Sequence, residues 1–451
     1  MPVSEPSSPS PDSPTEYEHI ASQPENPFSR LISGQKLAII PSFTLECGET
    51  LIDVPVAYKT SGTLNKARDN VMVICHALTG SADVWDWWGP LVGPGRAFDM
   101  GRFFIVCCNS LGSPYGSASP CTQDPTTARI YGPEFPLTTI RDDVNIHKLV
   151  LDFLGVRKIA VVIGGSMGGM LVLEWAYFGK DYVKAIVPIA TSSRHSAWCI
   201  SWGEAQRQSI YSDPRYEDGY YPFEDPPITG LGAARMSALL TYRSRNSFES
   251  RFGRKTSDTG NLGSQINQSP RTPGEEHWAA HNEGFRALSR SNGNSVTKYP
   301  TFFSAQSYLR YQGDKFVRRF DANCYIAITR KLDTHDVSRG RVASGDVRDA
   351  LRMIEQPTLV IGIESDGLFT YAEQQELAEF IPNARLATID SPEGHDAFLL
   401  QFEEVNHHIL GFLKEVLPEI MERPSTSSPK FENDVNVGVS SVGEVDDIIV
   451  W

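Results

Sequence analysis

A serine enclosed by four glycines is the part of this chain best equipped for chemistry, since residues 164–169 read Gly-Gly-Ser-Met-Gly-Gly. A β-branched run precedes it at residues 158–163, and a segment typical of a helix follows at residues 170–175. A Gly-x-Ser-x-Gly turn between a strand and a helix is typical of a nucleophile elbow. The helix N-terminus would favour negative charge that develops there. An ordinary serine N-cap does not require four glycines, so we predict that Ser166 is a nucleophile.

A serine hydroxyl needs a base to take its proton, and the base needs a third group to orient it. In α/β-hydrolases the acid and then the histidine follow the serine along the chain. Asp366 follows the apolar run at 358–363, and His395 follows the run that ends near residue 389. A helix N-cap at Asp366 or a loop histidine at His395 would each explain one residue, but not this joint order. The sequence therefore predicts a Ser166–His395–Asp366 triad.

The oxyanion that forms during attack needs two preorganised N–H donors. One donor is expected from the backbone of Met167, directly after the nucleophile. The other is expected from the loop after an early strand, here residues 76–80 after the run at 71–75. We assign this second donor to the backbone of Leu78.

Buried-type strands that alternate with helices must position these residues. Strand-like segments at 37–45 and 51–58 predict a hairpin, and a helical pattern spans 139–153. Apolar β-rich runs recur along the chain, at residues 71–75, 103–108, 159–163, 185–189, 358–363 and 385–389. This order predicts an α/β-hydrolase fold, in which a mostly parallel central sheet is covered on both faces.

The alternation stops between residues 189 and 358, which predicts an inserted helical lid above the carboxyl edge of the sheet. Both ends of the chain are rich in Ser, Pro or acidic residues, a composition typical of disorder. The predicted organisation has a disordered tail at 1–27, the first part of the core at 28–195, the lid at 196–350 with a flexible polar excursion at 251–300, the second part of the core at 351–423, and a disordered acidic tail at 424–451.

Composition excludes several classes of protein. The 451 residues carry a formal net charge of −14, which argues against nucleic acid as a partner. Seven scattered cysteines without a CxxC pair favour reduced thiols inside a cell, and we expect a cytoplasmic location without a secretory signal or a membrane span. No metal site is expected. His277 and His281 have helical spacing, but no Glu follows the first histidine, which favours a surface helix.

Several further motifs resemble those of homoserine O-acetyltransferases of the fungal type. They lie at residues 76–80 (His-Ala-Leu-Thr-Gly), 164–169, 173–175 (Leu-Glu-Trp), 240–243 (Leu-Thr-Tyr-Arg), 314–316 (Asp-Lys-Phe), 319–323 (Arg-Phe-Asp-Ala-Asn) and 334–336 (Thr-His-Asp). The resemblance implies transfer of acetyl from acetyl-CoA to the hydroxyl of L-homoserine, in methionine biosynthesis, through an acetyl-serine intermediate. It also implies a homodimer in which acetyl-CoA is a co-substrate and no cofactor is bound.

The same resemblance implies roles for four residues around the triad. Arg235 and Tyr242 match lid residues that meet the amino-acid substrate, and a guanidinium suits its carboxylate. Asp396 matches the residue that meets the substrate ammonium, and Thr79 is a further candidate for the same pocket. The alternatives are a solvated helix face for Arg235 and a hydrogen bond to the local turn for Asp396.

Other functions share this fold and triad. Similar sequences act as serine O-acetyltransferases, homoserine O-succinyltransferases or deacetylcephalosporin C acetyltransferases. An esterase would use the same triad. A non-catalytic binding module is a third reading, but it predicts a broken triad.

Overall fold

One nine-stranded sheet organises the part of the chain that the computed structural model describes, namely residues 17–255, 272–274, 281 and 303–425. The spatial order of its strands is β1-β2-β3-β5-β4-β6-β7-β8-β9. In chain order the strands are β1 Glu18–Ile20, β2 Lys36–Thr44, β3 Thr50–Ser61, β4 Val71–Cys75, β5 Phe104–Cys108, β6 Ile159–Gly165, β7 Ile186–Ile189, β8 Thr358–Ile363 and β9 Ala384–Ile389.

Strands β4 to β9 run parallel to one another, and β1 to β3 join them through antiparallel pairs. Every residue of β4, β6, β7 and β8 is buried. Continuous burial is expected of parallel strands that helices cover on both faces, and it explains why these runs are apolar throughout. The predicted mostly parallel sheet of an α/β-hydrolase fold is confirmed.

The helices pack on both faces of the sheet and above its carboxyl edge. In chain order they are α1 Val84–Trp88, α2 Ile140–Phe153, α3 Met167–Ala176, α4 Ala197–Tyr211, α5 Ile228–Tyr242, α6 Arg245–Arg251, α7 Ser304–Phe316, α8 Ala322–Asp333, α9 Val347–Leu351, α10 Tyr371–Phe380, α11 Ala397–Leu400, α12 Phe402–Val416 and α13 Pro418–Met421. None of these described helices is long and apolar enough to cross a membrane.

Helices α4 to α9 occupy the described chain between β7 and β8, where the sequence predicts the lid. A fully buried ion pair ties them to the sheet domain, because Lys331 Nζ on α8 lies 2.6 Å from Asp143 Oδ2 on α2. The predicted excursion at 251–300 lies largely outside the described residues, as does His277. The exact boundaries of the lid therefore remain our proposal.

The predicted disordered tail at 1–27 is wrong for residues 17–27. Strand β1 pairs with β2, and the side chains of Gln23 and Asn26 are buried. Their amides donate to the carbonyls of Gly116 at 3.0 Å and of Pro114 at 2.9 Å. These few hydrogen bonds order a polar segment that composition alone classes as disordered. Residues 426–451 of the predicted C-terminal tail lie outside the described residues.

Candidate active site

Ser166 lies at the sharp turn between β6 and α3. Its backbone has φ 59° and ψ −126°, a strained conformation for any residue other than glycine. Two hydrogen bonds hold this peptide, because Ser166 N–H donates to Ile189 O at 3.0 Å and Thr191 Oγ1 donates to Ser166 O at 2.9 Å. The neighbouring strand β7 and the loop after it thus fix Ser166, the predicted nucleophile, in place.

The glycines around Ser166 are required by close packing. A Cβ atom on Gly165 would lie 2.6 Å from the ring of Phe398, and one on Gly168 would lie 2.1 Å from Cys75 O. None of the four glycines has a positive φ, and Ser166 alone in this turn does. The unusual backbone conformation of this turn therefore falls on Ser166, the predicted nucleophile.

His395 and Asp366 form a buried pair beside the elbow. His395 Nδ1 lies 2.8 Å from Asp366 Oδ2. The other oxygen of Asp366 accepts from the N–H groups of Leu368 at 2.8 Å and Phe369 at 3.0 Å. The turn after β8 therefore orients the carboxylate, and the carboxylate fixes the proton of His395 on Nδ1, which leaves Nε2 as the basic nitrogen.

The pKa of His395 is raised above its ordinary value of 6.5. Burial acts to lower this pKa, but the charge and hydrogen bond of Asp366 and the charge of Asp396 outweigh the burial. The imidazolium that would form during catalysis is therefore stabilised by two carboxylates.

One cavity brings together most of the residues predicted from the sequence. Its lining includes Ser166, His395, Leu78, Thr79, Arg235, Tyr242 and Asp396. Asp366 lies behind His395, as expected of the orienting member of a triad. Met167 is not among the lining residues, but it begins α3 directly after Ser166, where helix N–H groups lack partners within the helix.

Arg235 and Asp396 are both buried at this cavity. The guanidinium carbon of Arg235 lies 4.8 Å from the ring centre of Phe316 and 5.7 Å from that of Tyr242, so Arg235 does not lie on a solvated helix face. Asp396 Oδ2 lies 3.1 Å from Arg243 Nε. A ligand ammonium group bound at Asp396 would therefore share its carboxylate with the guanidinium of Arg243.

Several residues of the site are not predicted by the sequence. Arg243 lies within the motif at residues 240–243 that carries the resemblance. The signal in the sequence was a positively charged residue in that motif. Tyr308 and Gln312 on α7 also line the cavity, and only their spacing of four residues could have suggested a shared helix face.

His76 supports the predicted oxyanion loop from below. Its Nδ1–H donates to Ala77 O at 2.8 Å, and its Nε2 accepts from Ser110 N–H at 3.0 Å. Burial lowers the pKa of His76 to about 4, so the ring stays neutral and can donate through Nδ1 while it accepts through Nε2. The Ala77 carbonyl and the Leu78 N–H belong to one planar peptide, so holding the carbonyl also orients the donor.

A second cavity and a cluster of possible metal ligands lie away from this site. A more open cavity of about 470 Å³ is lined by charged residues such as Glu46 and Arg339, but it contains no member of the triad. Cys121, Asp321 and Cys324 place three possible metal-ligand atoms within 4.8 Å of one another. Burial raises the pKa of the Cys324 thiol to about 11, which disfavours the thiolate that a metal requires. All seven cysteines are free thiols.

Known proteins share both the sequence and the fold. The family model described as alpha/beta hydrolase fold matches residues 70–402. Homoserine O-acetyltransferase of Ascobolus immersus is 61% identical, over 96% of this chain and 97% of the relative. That of Saccharomyces cerevisiae is 53% identical, over 94% and 96%. The crystal structure of homoserine O-acetyltransferase from Bacillus anthracis has a TM-score of 0.67 and 21% identity, over 87% of this chain and 99% of that chain, and shows the fold alone.

These matches cover nearly all of the chain and agree with one another. The elbow, the buried histidine–aspartate pair and the charged cavity lie within the matched region. The chain therefore belongs to the homoserine O-acetyltransferase family of α/β-hydrolase-fold enzymes.

Proposed function

We propose that this enzyme transfers an acetyl group from acetyl-CoA to the hydroxyl of L-homoserine, through an acetyl-serine intermediate, in methionine biosynthesis. The observation that carries the proposal is one cavity that contains both Ser166 and His395 and the opposite charges of Arg235 and Asp396. The first two residues suit acyl transfer in general. The last two suit an acceptor that is an amino acid.

In the first half-reaction Ser166 Oγ attacks the thioester carbonyl while His395 Nε2 takes its proton. The N–H groups of Met167 and Leu78 would hold the oxyanion of the tetrahedral intermediate. When the intermediate collapses, the carbon–sulfur bond breaks and His395 returns the proton to the sulfur of coenzyme A. The acetyl group remains on Ser166 as an ester.

In the second half-reaction homoserine enters the same cavity. Its carboxylate would meet Arg235 and its ammonium Asp396, with Tyr242 and Thr79 completing the walls. This arrangement brings the side-chain hydroxyl to the acetyl ester, where His395 takes its proton. The hydroxyl oxygen then attacks the ester carbonyl, and the proton returns to Ser166 as O-acetylhomoserine leaves.

Water competes with homoserine for the acetyl-enzyme, and an esterase with the same triad would favour water. The main side chains of the site are buried, with Ser166 8% exposed and His395 3% exposed. Exclusion of water together with a carboxylate and ammonium clamp favours the bound hydroxyl. The opposite charges of Arg235 and Asp396 beside Ser166 support a transferase over a hydrolase.

A panel of donors and acceptors tests the proposal. Homoserine, serine and deacetylcephalosporin C are each offered with acetyl-CoA and with succinyl-CoA, and release of free thiol is followed. The homoserine and acetyl-CoA pair should give the highest kcat/KM. A clamp on the backbone of serine would hold its hydroxyl one methylene back, which can cost on the order of a hundredfold in rate. A higher kcat/KM for any other pair, or thiol release without an acceptor at the same rate, would contradict it.

We further propose that acetyl-CoA is a co-substrate, that no cofactor is bound, and that the enzyme is a cytoplasmic homodimer. Seven free thiols support the reducing location. Sedimentation of the purified protein tests the dimer, since a single species with the 50.0 kDa mass of one chain would contradict it.

A further inference from the structure

Gln312 is a buried polar residue of the cavity to which no role has been assigned. Its side chain is 7% exposed and faces the cavity that contains Ser166. Its amide makes no hydrogen bond to any residue that the structure describes. The amide is open to the cavity rather than sealed from solvent, so a ligand with complementary groups can replace the water that it would otherwise bind.

The packing of α7 against α5 places Gln312 near Arg235. Gly313 lies so close to α5 that a Cβ atom there would be 3.2 Å from Gly232 O. Arg235 comes three residues after Gly232, and its guanidinium lies over the ring of Phe316, one turn after Gln312. Gln312 and Arg235 therefore reach the same cavity from two helices that pack against each other.

We propose that the Gln312 Nε2 amide donates a hydrogen bond to the substrate carboxylate that Arg235 binds, and so helps to select an amino-acid acceptor. A carboxylate offers about four acceptor positions and a guanidinium fork fills two of them, so room remains for another donor. The positive charge of Arg235 favours an anion over an ammonium in the part of the cavity that Arg235 and Gln312 line. This inference rests on the proposed function, because it assumes homoserine as the acceptor.

The test compares acceptors that each lack one group of homoserine. 4-Hydroxybutanoate keeps the carboxylate and lacks the ammonium, and 3-aminopropan-1-ol keeps the ammonium and lacks the carboxylate. Gln312→Met removes the amide with little change in side-chain volume. It should lower kcat/KM about 10- to 100-fold for homoserine and 4-hydroxybutanoate, the range expected for a hydrogen bond to a charged group. The value for 3-aminopropan-1-ol should stay within about twofold. Where turnover is slow, the inhibition constant against homoserine replaces kcat/KM.

Gln312→Glu is the second variant, with nearly the same shape and a negative charge. It should impair both carboxylate acceptors more than Gln312→Met does and leave 3-aminopropan-1-ol no worse. The rate of acetyl-enzyme formation from acetyl-CoA reports folding and the first half-reaction, and in the neutral variant Gln312→Met it should stay within about twofold of the wild-type rate.

Three results would overturn the assignment of Gln312: equal losses for all acceptors, losses that follow the ammonium, or markedly slower acetyl-enzyme formation in Gln312→Met. A wild-type enzyme that does not acetylate homoserine at all would instead contradict the proposed function. The two failures are therefore distinguishable.

Discussion

Ser166, the proposed nucleophile, has a strained backbone, and the strain is held by packing from outside the turn. The rings and carbonyls that exclude a Cβ at Gly165 and Gly168 also prevent the turn from relaxing. A positive φ that costs of order 1–3 kcal/mol persists only where the surroundings enforce it. The tight packing of the elbow is therefore part of what keeps the hydroxyl in position.

The proposed intermediate gives a direct expectation for Ser166. Mixing the enzyme with acetyl-CoA alone should add one acetyl group to the protein by intact mass, and Ser166→Ala should show neither the adduct nor turnover. Ser237→Ala is a matched control, because the Ser237 hydroxyl donates to Ala234 O within its own helix. An adduct that persists in Ser166→Ala would place the nucleophile elsewhere.

The raised pKa of His395 sets the pH dependence of the first half-reaction. His395 must be neutral to accept a proton, so acetyl-enzyme formation should fall as pH drops through an apparent pKa above 6.5. Asp396 contributes to this raised pKa, so Asp396→Asn should move the acid limb to lower pH. Single-turnover rates with acetyl-CoA between pH 5 and about 9 measure the acid limb in the wild type and in Asp396→Asn. An unmoved limb in Asp396→Asn would show that Asp366 alone sets the pKa.

Helices α2 and α8 are joined by the ion pair of Asp143 and Lys331, whose side chains are both fully buried. Burial lowers the pKa of Lys331 and raises that of Asp143, and each is the main counter-charge of the other. Lys331 Nζ also donates to Leu111 O, and Asp143 accepts from Leu111 N–H. The pair therefore locks the lid helix, α2 and the loop after β5 into one arrangement.

Breaking this pair should be costly. Lys331→Met leaves the Asp143 carboxylate buried without its counter-charge, and should lower the free energy of unfolding by about 3–5 kcal/mol. Adding Asp143→Leu should restore part of the loss, because an apolar pair needs no desolvation of charge. Urea denaturation of wild type, single variants and the double variant measures both effects. Additive losses in the double variant would contradict the account.

The elements that were predictable are those with strong local patterns. The run at 358–363 coincides with β8, and the predicted helix at 139–153 is α2 with its N-cap at Thr139. Strand β1 was not predictable from a hydrophobic pattern, because none of its three residues is buried. It joins the edge of the sheet by backbone pairing with β2. The positions of Gln312 and Arg243 depend on how lid helices pack, and no local pattern encodes that packing.

The extent of the folded chain can be tested by truncation. Removing residues 1–16 and 426–451 should leave the thermal midpoint nearly unchanged, because their composition cannot support a core. Removing residues 1–27 should lower stability by a few kcal/mol, since it deletes β1 and the buried amides of Gln23 and Asn26. Calorimetry measures the thermal midpoint of each truncated protein and of the full chain. Equal midpoints would show that β1 adds little.

The lid separates the nucleophile from its two partners along the chain. Ser166 precedes the insertion, whereas Asp366 and His395 follow β8 and β9. During synthesis on the ribosome the elbow therefore emerges long before the base that activates it. We expect a nascent chain that has folded β4 to β7 to hold an inert hydroxyl, and to become competent only when β9 and the loop that carries His395 join the sheet. We therefore expect the order of these residues along the chain to keep unfinished protein from hydrolysing thioesters.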